Sequence, residues 1–148
     1  MTSTDIHGHE HVVKILGHWP SFHDAEVLRF CLVRGADADE RKAEVELDLQ
    51  VREYEIQNAG TPEYQLALSK NIIIQFVFTD IAALKLDDFN FQNVINGLHL
   101  RRTSDLPDSE FQVEVESIFG MQASWTCKTA SVQNLMLVER ETTKAIET

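Results

Sequence analysis

Apolar positions along this 148-residue chain recur mainly at every second residue, the period of strands packed on one face. Residues 43–53 show it without a fault: Val45, Leu47, Leu49 and Val51 alternate with Glu44, Glu46, Asp48, Gln50 and Arg52. Residues 111–117 repeat it, setting Phe111, Val113 and Val115 against Gln112, Glu114 and Glu116. Residues 25–34 are apolar at both parities, with Leu28, Phe30 and Leu32 on one and Val27, Cys31 and Val33 on the other. That pattern predicts a central strand covered on both faces. Joined by the polar turn that begins at Gly35, segments 25–34 and 43–53 read as an antiparallel hairpin.

The remaining segments are shorter. Residues 53–63 carry Gly60 and Pro62 and read as a loop, followed by strands at 64–69 and 72–79. Residues 82–86 fit a strand or a helical turn, and 87–97 read as an irregular or single-turn segment closing at Gly97. Extended structure resumes at 98–103, and 123–129 with 132–138 are expected to form the last pair. Before the first strand the period lengthens. Val12, Val13 and Leu16 make a helical stripe, Ser3, Thr4 or Asp5 are cap candidates and Gly17 is a stop, so residues 1–18 predict a short helix or arm. Residues 139–148 are polar and expected to fray. About seven to eight strands, separated by turn signals roughly every eight to twelve residues, predict a mainly β single domain over residues 1–148: an antiparallel sandwich or open barrel with an N-terminal helix or arm.

Charge changes the picture of partners more than of fold. Twenty-four acidic and 13 basic side chains leave a net charge of −11. Such a surface repels polyanions, which argues against nucleic acid and against an anionic membrane. No basic and apolar leader is visible at the N-terminus, and no apolar run nears the roughly 20 residues of a membrane helix. The chain is therefore expected in the cytoplasm, with Cys31 and Cys127 as reduced apolar fillers.

Two clusters hold candidate chemistry. The run from Gly17 to Glu26 gathers Trp19, Phe22, His23, Asp24 and Glu26 just ahead of the central strand. Read as a site, His23 would be a base oriented by a carboxylate, or a metal ligand with Asp24 and Glu26. Strand parity would place Asp24 and Glu26 on one face and His23 on the other unless the chain turns there. Read as structure, Trp19 and Phe22 plug the end of the sheet, Ser21 or Asp24 satisfies turn N–H groups, and His23 packs on an aromatic ring. The structural reading is preferred, because one local cluster without distant partners is weak support for a site.

The second cluster is His7, His9 and His11, with His18 and His23 as further ligands for zinc, nickel or copper. On a helix, His7 and His11 would share a face. The preferred reading is a solvated polar arm, since metal sites need rigid ligands with a supporting shell. Nucleophile elbows, phosphate-binding glycine loops, His-Glu-x-x-His helices and Cys-x-x-Cys pairs do not occur, so neither an enzyme nor a cofactor is expected. Asp37, Asp39, Glu44, Glu46, Asp48, Glu114 and Glu116 instead form rows of one sign that would steer a basic partner. A dimer fed by the two-faced apolar strand is a further alternative.

The block Trp19-Pro20-Ser21-Phe22-His23-Asp24-Ala25-Glu26-Val27, leading into an apolar strand, resembles the immunity protein 50 family of bacterial polymorphic-toxin systems. Looser likeness continues through 72–78, 84–95 and 120–127. The resemblance implies a small, mainly β, cytoplasmic, non-enzymatic protein that neutralises a cognate toxin, such as a basic nuclease, by binding it. It carries over no catalytic residue. Trp19, Phe22, His23, Asp24 and Glu26 would correspond to the family motif.

Overall fold

A computed structural model describes residues 3–35, 42–106 and 110–138. The chain enters through a 3-10 turn at Ser3–Asp5 and a helix, α1, at His9–Leu16. Eight strands follow: β1 at Glu26–Arg34, β2 at Ala43–Gln57, β3 at Gln65–Thr79, β4 at Ala82–Asp87, β5 at Val94–Arg102, β6 at Phe111–Phe119, β7 at Gln122–Cys127 and β8 at Thr129–Leu137. They pair antiparallel in one open sheet of order β4-β7-β6-β5-β1-β2-β3-β8. The alternation thus predicts the right class of fold, open rather than closed.

The sheet has a corner in the middle. β1 pairs with β2 along almost its whole length but meets β5 at one residue pair, Glu26 with Val94. Either side of that corner the inner faces approach each other. Trp125 of β7 lies edge-on to Phe30 of β1 and Phe78 of β3, with ring centroids 5.7 and 5.0 Å apart. Val45, Leu47 and Leu49 of β2, Ile72, Ile74 and Phe76 of β3, and Val113 and Val115 of β6 fill the space between. Cys127 is buried there as a free thiol, and loss of water around it pushes its pKa up to about 12. Cys31 is also free and half-buried, so the two cysteines remain unbridged. The arm ties the edges in. His7 forms a parallel bridge with Ser131 of β8, and Asp5 reaches Arg102 at the end of β5 at 3.5 Å.

The structure departs from the pattern reading at identifiable places. β1 is not covered on both faces: Leu28 and Leu32 are exposed. The register slips between Val27 and Arg29, so Val27 opposes Leu49 and Phe30 opposes Leu47, both inward. One extra residue, Leu28, reverses the parity. Past the bulge, Phe30 and Leu32 oppose Leu47 and Val45, while Cys31 and Val33 oppose Glu46 and Glu44. Residues 53–63 are not all loop, because β2 runs on to Gln57 and the segments 64–69 and 72–79 are a single strand. Residues 82–86 are strand, and β5 begins at Val94, so Gly97 lies within a strand rather than closing a turn. β7 and β8 do not pair with each other; β7 lies between β4 and β6, while β8 borders β3. α1 begins after Gly8 with no side-chain cap, so Ser3, Thr4 and Asp5 do not cap it, whereas Gly17 does end it. Asp37, Asp39 and residues 139–148 lie outside the described residues.

Candidate functional site

The motif block ends in a tight turn that strand parity alone would not give. Phe22 and Asp24 both hold left-handed backbone, at φ 63° and 67°, a conformation that costs a non-glycine residue about 1 kcal/mol or more. Surroundings hold them there. The Ala25 N–H donates to Phe22 O at 3.1 Å, the Asp24 N–H to Ile95 O at 3.0 Å, and the His23 N–H to Ser21 Oγ at 3.3 Å. The Phe22 ring is buried edge-on to Trp19 and Phe76, with centroids at 5.4 and 5.8 Å. Trp19 and Phe22 therefore do plug the core, and Ser21 does satisfy a turn N–H.

His23 behaves otherwise. Its ring meets a distant side chain instead of packing on an aromatic. The Nδ1–H donates to Asn96 Oδ1 at 2.9 Å, and the Asn96 amide donates to Glu116 Oε1 at 2.9 Å. The other carboxylate oxygen, Oε2, accepts the His99 Nε2–H at 2.8 Å. Asp24 Oδ2 stands 3.6 Å from the free face of His23 at Nε2. An exposed chain, Asp24–His23–Asn96–Glu116–His99, thus runs from the motif turn across β5 to β6. Its acceptors fix the tautomers, with the proton on Nδ1 of His23 and Nε2 of His99. Hydrogen bonds from Asn96 first, then His99, hold the Glu116 carboxyl below its usual pKa. Gly97 makes room for it: a Cβ there would stand 2.8 Å from His99 Nε2.

Two depressions adjoin this chain on the outer face of β5, β6 and β7. One, of about 360 Å³, is lined by His99, Leu100, Arg101, Gln112 and Glu114. Another, of about 140 Å³, is lined by Lys85, Asp87, Glu114, Gln122, Ala123 and Ser124, so Glu114 borders both. A larger groove of about 410 Å³ between α1 and β8 is lined by His11, Lys14, Ile15 and residues 132–135, with no carboxylate among them.

The acidic row on β2 is less uniform than its sequence. Arg29 of β1 donates to Glu46 Oε2 at 2.5 Å and stands 3.8 Å from Asp48 Oδ1. The Glu46 bond, partly offset by burial, raises the guanidinium pKa above its ordinary value. Arg52 lies 3.9 Å from Glu26. Arg29 thus offsets part of the negative charge on β2, whereas Glu114 and Glu116 are clustered with imidazoles on the other half.

The five histidines read as metal candidates are dispersed. His7 sits in the bridge to β8, before α1 starts, so it shares no helical face with His11. His9 Nδ1 lies 3.0 Å from Ile6 O, His18 bonds Glu53 at 2.8 Å, and His23 bonds Asn96. Among the described residues no group of three His, Cys, Asp or Glu side chains is disposed to hold a metal ion. Sequence reasoning missed Asn96, because 87–97 reads as irregular, and His99, a lone histidine in the extended segment 98–103; the signal lay in Gly97, which clears the space His99 occupies.

Fold and site together define a small antiparallel β protein whose polar groups converge on a sheet surface. The chain belongs to the Immunity protein 50 family, whose model matches residues 8–137. No curated protein and no solved structure matches it.

Proposed function

We propose that the protein neutralises a cognate protein toxin in the cytoplasm by binding it and occluding its active cleft, without catalysing a reaction. Membership of an immunity-protein family across residues 8–137 carries this reading. The net charge of −11 suits a basic toxin, such as a nuclease whose cleft is shaped for phosphates. Carboxylates on a rigid sheet offer that cleft fixed negative charge at little cost in ordering. The acids nearest the motif, Asp24, Glu114 and Glu116, are the contacts this reading favours, with Glu44 and Glu46 as a second row.

The test is to mix the purified protein with the catalytically inactivated toxin domain encoded by the neighbouring gene, at low and high salt. A stoichiometric complex whose association rate falls as salt rises is expected. Glu114→Lys with Glu116→Lys should slow association about tenfold or more. Absence of any complex at low salt would defeat the reading.

A further inference from the structure

The segment between β4 and β5 is short, well tied and yet aims an aromatic ring at water. Asn93 is buried and acts as its hub: Oδ1 accepts the Asn90 N–H and the Met121 N–H, each at 3.0 Å, and Nδ2 donates to Asn90 O at 2.7 Å. Asn90 adds two more bonds, accepting the Gln92 N–H at 2.8 Å and donating to Asp88 O at 3.0 Å. The loop is then welded to the motif strand, since the Val27 N–H donates to Asn93 O at 2.7 Å. At the centre of this scaffold Phe91 is 95% exposed, with Phe89 two residues before it and Phe119 of β6 also exposed. Phe119 opposes Val94, where β5 leaves the loop.

A connector needs no ring at such a position. Interface anchors do: an aromatic on a backbone already held in place loses less freedom on binding than one on a loose loop, and desolvating it supplies the energy. The surrounding charge selects the occupant. Asp87 and Asp88 precede Phe89 directly, and both are exposed. On a chain of net charge −11 a second copy would bring like charges together around the ring, whereas a basic surface would meet opposite ones. We propose that Phe91 is the anchor by which this protein seats in an apolar pocket, rimmed by Lys and Arg, on the protein toxin. This rests on the immunity reading above and names the contact that reading leaves open. The competing apolar surface is the far end of the β2–β3 ribbon, where Tyr54, Ile56, Leu66 and Leu68 are exposed.

The experiment measures association and dissociation rates with the inactivated neighbouring-gene toxin domain for wild type, Phe91→Ala, Asp87→Lys with Asp88→Lys, and Ile56→Ala. Phe91→Ala should weaken binding about 30-fold through faster dissociation, with an unchanged unfolding midpoint because the ring touches solvent. The paired lysine variant should slow association at low salt by about tenfold. If wild type binds and Phe91→Ala dissociates at the same rate, or only Ile56→Ala weakens the complex, the anchor is wrong while the immunity reading stands. If wild type does not bind, both fall. Light scattering that finds a dimer broken by Phe91→Ala would make the occupant a second copy and overturn the proposal.

Discussion

Asp24 shows how a single position joins strain to surface chemistry. Its left-handed backbone, φ 67°, brings its carboxylate and the His23 ring to the surface beside each other. Aspartate tolerates this region better than alanine, and glycine occupies it freely. Asp24→Ala should therefore lower stability by about 1 kcal/mol, while Asp24→Gly should equal or exceed Asp24→Ala despite its larger unfolded-state entropy. Urea denaturation with matched slopes checks this. A loss in the glycine variant greater than in the alanine variant would show that the side chain, not the backbone, matters to folding. Much of this site was readable in the residues themselves: Trp19 and Phe22 as plugs and Ser21 as a turn acceptor follow from residue type. The partner of His23 was not, because nothing local in residues 87–97 distinguishes Asn96 from the other asparagines around it.

Elements were legible where one face was buried and illegible where neither or both seemed to be. β2 from Val45 to Val51 and β6 from Phe111 to Val115 show the period of two because each alternate side chain enters the core. Beyond Glu53 the β2–β3 ribbon leaves the core, and a register shift between Glu53 and Tyr54 puts Tyr54 and Ile56 out of phase with Val45 to Val51. In β1 a single bulged residue reverses the parity between Val27 and Phe30. The β4–β5 loop hid for a third reason: its order comes from side-chain amides bonding main chain, which hydrophobic periodicity does not record. That order makes it a stability element. Asn93→Ala leaves the Met121 and Asn90 N–H groups without their acceptor and should cost about 1–3 kcal/mol. Gly120→Ala should cost at least as much, because its Cβ would stand 2.3 Å from Gln92 O on a backbone of φ +76°. Thermal or urea unfolding reads both. A neutral Asn93→Ala would mean that water replaces the amide and that the loop is less fixed than its bonds imply.

At the scale of the whole molecule, two ladders are joined through a short junction, where Ile95 bonds the main chain of Asp24 and Ala25 and the Val27 N–H donates to Asn93 O. Glu26 with Val94 is the single paired position between β1 and β5, so the inward fold of the sheet depends on side chains meeting across the corner. Trp125 is the largest of these, fully buried between Phe30 and Phe78. Its indole N–H has no hydrogen-bond partner among the described residues, so the ring is held by packing alone and carries the cost of a buried donor. Trp125→Ala should therefore destabilise by about 3–5 kcal/mol, since the cavity lies where no ladder can close it. Trp125→Phe keeps most of the edge-to-face contact and removes the unpartnered donor, and should cost no more than about 1–2 kcal/mol. Because the acidic outer face of β5 and β6 and the outer face of β1 and β2 are positioned by that same corner, the alanine variant should also lose toxin binding at temperatures where circular dichroism still reports strand. An alanine variant as stable as the phenylalanine one would place the energy of the corner elsewhere, in the arm that ties Asp5 to Arg102 and His7 to β8.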